Sequence, residues 1–175
     1  VPQLGLLSSG DSELDTMLGL VTPASFAMRA RRHMVEFGTT LEQLAQVSVK
    51  NRRHGARNPL AQLRGQVSVE EVLASPMISD PLPRLQSCPK ADGASALIVC
   101  SPAMARRIGA RVAVRAATLL SGDYDNPQDM VRWRTDREGA EKAYEHAGIG
   151  PEDLDLVECH DAFTIAEILH YEALG

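Results

Sequence analysis

Aromatic residues are scarce in this chain: three Phe, three Tyr and one Trp make up 4% of its 175 residues. The interior therefore has to be built mainly from Ala, Leu, Val, Ile and Met. Cysteine is as sparse. Cys88, Cys100 and Cys159 are odd in number and none belongs to a CxxC pair, which argues against a disulfide scaffold or a zinc ribbon and for a reducing compartment. No apolar run approaches the roughly 18 residues of a membrane span, and the first residues lack the basic-then-apolar pattern of a secretory leader. The expectation is a soluble, cytoplasmic protein with no membrane partner. Basic residues are outnumbered, 18 Lys and Arg against 23 Asp and Glu, for a formal charge of -5. A nucleic-acid binder needs a concentrated basic surface to displace counterions, so nucleic acid is not an expected partner. Also missing are GxGxxG, GxxxxGK, HExxH and GxSxG, and with them the fingerprints of dinucleotide, nucleotide, metalloprotease and serine-hydrolase sites. No resident metal is expected.

What is present reads as α/β. Leu14, Met17, Leu18 and Leu20 suggest a short helix after a polar turn. Thr22-Pro23 caps and opens a stronger helix, carrying Phe26, Ala27, Ala30 and Met34 on one face and stopped at Gly38. Thr40 with Gln43 is a capping box for a second helix running into Lys50. Asn51 to Arg64 then reads as a basic, partly irregular segment. Ser68 with Glu71 starts a short helix, and Pro76, Pro81 and Pro83 mark a loop that Pro bars from a helix interior. Ala94–Cys100 has the length and branching of a buried strand. A helix from Ser101-Pro102 to Gly109 follows, then a second strand over 111–120, in which Arg115 is the odd member. A helix from Asp136 ends at Gly148, and Leu154–Cys159 predicts a strand leading into a helix from Ala162.

Two places could carry chemistry. His160 sits where the last predicted strand gives way to a helix, the end of a strand at which ligands gather in open α/β sheets. An imidazole among helix amides is disposed to stay neutral, able to position a water or donate to a developing oxyanion. Asp161 either fixes that ring or caps the helix, and a purely local hydrogen-bonding role for His160 is the plainer alternative. Cys159 reads as a buried thiol rather than a nucleophile, since neighbours on a strand face opposite ways. The second place is residues 50–64, where four Arg, Lys50 and His54 suit the phosphates of a nucleotide-like ligand, or else form a solvated loop. Asp92-Gly93-Ala94 is a strand-entry turn where Gly93 admits close backbone approach. His54, His146 and His170 have no ligand-like spacing.

Several longer stretches, taken in order, resemble the thiolase superfamily, and most strongly the branch related to the thiolase part of sterol carrier proteins. They are FAMRARRHM (26–34), FGTT (37–40), LAQVSVKNRRH (44–54), ARNP (56–59), VEEVLASPMISDPL (69–82), the Cys88-Pro89 and Asp92-Gly93-Ala94 segments, and VECHDAFTIAEI (157–168). The resemblance covers nearly the whole chain. It implies an incomplete thiolase-like layered α/β fold with a mostly helical loop excursion. Residues 1–90 would be the excursion over the acyl-CoA site, 91–110 the end of the N-terminal half, and 111–175 the start of the C-terminal half.

It also implies chemistry. His160-Asp161-Ala162-Phe163 stands where many thiolases carry Asn-Glu-Ala-Phe, so His160 would help build the oxyanion hole and Asp161 would support it. Arg52, Arg53, His54 and Arg57 would hold coenzyme A, a substrate rather than a bound cofactor, while Phe163, Gly93 and Tyr124 would line the acyl site. The family's nucleophilic cysteine is expected upstream of Val1, and its Gly-His-Pro histidine and second cysteine downstream of Gly175. The implied activity is acyl transfer on 3-oxoacyl-CoA or acetyl-CoA, absent from these 175 residues alone. Retro-aldol cleavage of a CoA-linked side chain beside a small accessory protein is the alternative, followed by non-catalytic CoA-thioester binding. A homodimer or homotetramer is implied.

Overall fold

A computed structural model describes residues 19–122 and 129–175. The sequence-predicted helix over 14–20 falls largely outside these residues, as does Tyr124. Within them the arrangement is mixed α/β, with several helices and one small two-stranded sheet.

Local signals fix most helix ends. Helix α1 (Thr22–Phe37) begins one residue earlier than its cap suggested: Val21 is the N-cap, makes no side-chain bond, and Thr22 is already helical. Its stop is at Gly38, whose left-handed φ of 74° lets its amide reach the Met34 carbonyl at 3.0 Å. Helix α2 (Leu41–Gly55) starts with the expected reciprocal capping box between Thr40 and Gln43. It runs five residues further than the sequence reading. Asn51–His54 is helical because Arg is a good helix former, and Arg52, Arg53 and His54 in the last turn complement the negative end of the helix dipole. Helix α3 (Val69–Leu73) has the Ser68–Glu71 box. The Pro-rich return contains a short hairpin, β1 (Met77–Ser79) against β2 (Leu82–Pro83), which pairs antiparallel. Arg31 of α1 forms an ion pair with Asp80 in its turn.

Helix α4 (Pro102–Ile108) is capped by Ser101 and ends at Gly109. Helix α5 (Arg134–Ala147) ends at Gly148, where the amides of Gly148 and Ile149 both reach the Tyr144 carbonyl. Helix α6 (Thr164–Leu174) completes the set. It packs on α1, α2 and α5. The core gathers around it: Ala27 and Ala30 from α1, Leu44 from α2, Leu82 from β2, Val131, and Phe163, Ile165 and Leu169 at and within α6. Phe26 stacks on Phe163 at a centroid distance of 4.7 Å.

The three predicted buried strands are not strands among the described residues. Residues 94–100, 111–120 and 154–159 carry no ladder, and their apolar side chains stand out: Ile98 is 94% exposed and Leu119 96%. The composition is right for burial, but a strand exists only through a neighbour's hydrogen bonds, and these segments pair with no neighbour. Arg115, odd on a buried strand, instead donates to the Ala147 carbonyl at 2.9 Å, capping the end of α5.

Two outcomes follow from this packing. Leu169→Ala, removing a side chain 1% exposed in the core, is expected to cost about 2–5 kcal/mol, whereas Val35→Ala, at an 85% exposed position, should stay within about 0.5 kcal/mol; urea unfolding measures both. The unpaired apolar segments should also drive this chain to associate, so a monodisperse monomer at high concentration by light scattering would contradict that reading.

Candidate functional site

A cleft of about 270 Å³ lies between α2, the segment 85–89 and the loop entering α6. Three tethers build it. Ser48 on α2 donates to the Leu85 carbonyl at 2.7 Å, Thr164 donates to the Gln86 side-chain oxygen at 3.1 Å, and the Cys88 amide donates to the Ala162 carbonyl at 2.9 Å. Ser87 and Phe163 form an isolated antiparallel bridge beside the last of these. Asn51, Arg52, Cys88 and Asp161 face the cleft together.

Beneath it lies a polar network the sequence reading missed. Glu167 is the only charged residue in the first two turns of α6 and is 2% exposed. Its carboxylate takes an ion pair from Lys50 and a hydrogen bond from the Tyr171 hydroxyl, and Lys50 also donates to that hydroxyl at 2.6 Å. The Asn51 amide nitrogen donates to Glu167 at 2.7 Å and to Asp161 at 2.6 Å, bridging two carboxylates. The signal was present as Glu167 and Tyr171 one helical turn apart (i, i+4), with Glu167 set among the apolar Ile165, Ala166, Ile168 and Leu169.

The electrostatics divide the two acids. Burial alone would push Glu167 up, but hydrogen bonds from Lys50, Tyr171 and Asn51 outweigh it and hold the carboxyl below its usual range. Burial and then the Glu167 charge push Asp161 above its usual range, against the weaker pull of Asn51 and Lys50. Lys50 is held above the ordinary lysine value because its bonds to Glu167 and Tyr171 exceed the cost of its burial. Burial, with Glu167 and Asp161 nearby, raises the Cys159 thiol, which makes it a poor thiolate.

The sequence-derived site residues separate into groups. Asp161 and Arg52 meet at the cleft. Arg53, His54 and Arg57 are exposed around the end of α2 and do not line it. The His160 ring is exposed, also off the cleft lining, while its carbonyl accepts from His170 at 3.2 Å. The segment 154–159 leading into it is not a strand; the loop is held by His170, whose other nitrogen is 2.7 Å from Asp136. Asp161 does not cap α6, whose N-cap is Phe163; it bonds to Asn51 instead. Phe163 faces the core rather than the cleft. Gly93 stands in the open, with nothing within 4 Å of where a Cβ would sit. Tyr124 lies outside the described residues. No helix among the described residues is long and apolar enough to cross a membrane.

Known proteins share much of this chain. Residues 116–175 match the family described as thiolase C-terminal domain-like. Across 94% of its length the chain is 47% identical to the benzoylsuccinyl-CoA thiolase subunit BbsB of Thauera aromatica, of which it covers 43%. It is 41% identical to an acetyl-CoA acetyltransferase of Methanothermobacter thermautotrophicus, covering 46% of that protein, and 36% identical to human sterol carrier protein 2, covering 30%. The chain thus spans less than half the length of these relatives. A solved structure titled Ltp2-ChsH2(DUF35) aldolase superposes with a TM-score of 0.77 at 29% identity, over 94% of this chain and 47% of that one.

The two shifted carboxyls contribute to stability with opposite signs. Glu167, depressed in the fold, stabilises above its unfolded value of about 4.3, and that contribution is lost as pH falls through the lower folded value. Asp161, raised in the fold, costs stability once ionised, and relief begins as pH falls through its folded value towards about 3.9. Glu167→Ala, which strands Lys50, is expected to cost about 3–5 kcal/mol at neutral pH and much less in strong acid; thermal melts against pH check both.

Proposed function

Most of this chain is a thiolase-superfamily domain close to the sterol-carrier-protein and acetyl-CoA acetyltransferase branch, and from that premise we propose that it forms part of an acyltransferase acting on 3-oxoacyl-CoA or acetyl-CoA. The observation that carries the reading is the cleft where Asp161, from the segment that resembles the family's oxyanion motif, meets Arg52 from the basic end of α2. Residues 1–90 are the excursion over the acyl-CoA site, 91–110 close the N-terminal half and 111–175 begin the C-terminal half, the last in keeping with the family match over 116–175. The unpaired apolar segments 94–100 and 111–120 belong, on this reading, to the layered sheet of a complete, cytoplasmic dimer or tetramer.

The chemistry follows from charge. Arg52, Arg53, His54 and Arg57 offer guanidinium and imidazole donors to the phosphates of coenzyme A, overcoming a helix end whose own dipole repels anions. On the family resemblance His160, next in sequence to Asp161, donates to the thioester oxygen as negative charge develops on it, a role that needs its exposed ring turned towards the acyl group. In the cleavage direction a cysteine thiolate attacks the 3-oxo carbon, the bond to C2 breaks, and its electron pair leaves on acetyl-CoA, which takes up a proton. The acyl group then passes to the sulfur of a second coenzyme A. Cys159 is unsuited to that attack by its raised thiol, and on the family resemblance the nucleophile and the Gly-His-Pro base belong outside these 175 residues.

A second reading, retro-aldol cleavage of a CoA-linked side chain with a small accessory protein, is favoured by the superposition on the aldolase structure. Free coenzyme A separates the two, because thiolysis consumes it and yields two thioesters, whereas aldol cleavage does not need it and releases a carbonyl product. The whole protein carrying this chain is expected to convert acetoacetyl-CoA and coenzyme A into acetyl-CoA. His160→Ala should lower kcat by about 10²–10³-fold, and the 175-residue chain alone should do nothing. Turnover by the chain alone, or a His160→Ala protein of full activity, would overturn the proposal. Tight CoA-thioester binding without turnover by the whole protein would replace it with a binding role.

A further inference from the structure

Glu167 is enclosed by α2 and α6 and lies too deep to meet a ligand, yet it shares a single amide with the carboxylate that faces the cleft. We propose that Glu167 is a positioning residue for Asp161, acting through Asn51. The inference rests on the reading above, in which Asp161 supports His160.

The geometry leaves Asn51 little freedom. A primary amide has two N–H donors, and here one is spent on Glu167 at 2.7 Å and the other on Asp161 at 2.6 Å. Both acceptors are carboxylates, so each bond is of the stronger, charge-assisted kind. Glu167 is itself held from two further directions, by Lys50 of α2 and Tyr171 of α6. Rotating the Asn51 amide would present its carbonyl oxygen to a carboxylate, so the anchored end determines which way the amide faces. Asp161 has no other side-chain hydrogen-bond partner among the described residues. Its carboxylate is therefore placed at the cleft by a chain of contacts that begins at a side chain no substrate touches.

The same chain couples the two carboxyls electrically. Asp161 is faced by Asn51 and Lys50 of α2, by Glu167 of α6 with Tyr171 behind it, and by Cys159 of its own segment, while Arg52 and Cys88 share its cleft. Two substitutions should then act with opposite sign. Glu167→Gln keeps the shape but removes a like charge, so Asp161 should ionise at lower pH. Asn51→Ala removes the donor that favours the ionised form, so Asp161 should ionise at higher pH. Tyr171→Phe leaves the Glu167 charge in place and should leave the titration of Asp161 where it is.

The experiment is a carboxyl ¹³C titration of the whole protein labelled at aspartate, with Asp161→Asn to assign the signal and circular dichroism to confirm folding of each variant. Downward movement in Glu167→Gln and upward movement in Asn51→Ala support the proposal. No movement in either, or movement of both in one direction as general loosening would give, overturns it. If Glu167→Gln does not fold, Asn51→Ala decides alone by the same criterion. In activity, Glu167→Gln should lower kcat/KM by up to about a hundredfold and carry the acid limb of its pH profile downward; a purely structural role would cut activity and leave the limb in place. If the wild-type protein turns over no CoA thioester while the titrations move as stated, the proposed function falls and the coupling stands. Turnover with unmoved titrations is the reverse.

Discussion

A carboxylate buried among apolar side chains has to be compensated where it stands, and Glu167 sets that requirement for the whole assembly. Lys50, Asn51 and Tyr171 converge on it from two helices, and their donors outweigh the burial that would otherwise neutralise it. A buried ion pair of this kind is weak evidence for stability in itself, since an apolar pair of matching volume often does as well. What it does supply is registry. Helix α2 can meet α6 only where Lys50 and Asn51 both reach Glu167, and that alignment brings Ser48, Asn51 and Arg52 to one wall of the cleft and Asp161 to another.

How much of this could be read beforehand follows from how local each feature is. Thr40, Ser68 and Ser101 fix helix starts within four residues of chain, and Gly38, Gly109 and Gly148 fix stops by adopting positive φ. Those features were legible. The extension of α2 through Asn51–His54 was obscured because a run of basic residues resembles a loop in composition, although at a helix C-terminus it is favourable. Strand pairing is not local at all. Residues 94–100 have the right side chains, but whether they form a strand depends on a partner elsewhere.

The candidate site was legible in part for the same reason. Asp161 and Arg52 could be singled out by residue type and resemblance, and the fold brings them to one cleft. Nothing in the spacing of Asn51 and Asp161, or of Lys50 and Glu167, announces that each pair meets, because those contacts span more than a hundred residues. His170 shows the converse. It lacked partners in sequence, yet it joins Asp136 on α5 to the His160 carbonyl and packs edge-on against Trp133 at 5.0 Å, so it holds the loop that carries His160.

The opposed shifts of the two acids give the network its chemical sense. Two carboxyls that share one amide could have divided a proton between them, as close acid pairs do. Here they are pushed apart instead. Lys50 and Tyr171 satisfy Glu167 and not Asp161, so Glu167 keeps its charge and the repulsion falls on its neighbour. One acid thereby stays charged as a fixed anchor, and the other, at the cleft wall, holds a proton to higher pH than an ordinary aspartate. Separation of this kind, one carboxyl locked and one raised, is what an acid–base or oxyanion-supporting role asks of a pair of identical functional groups.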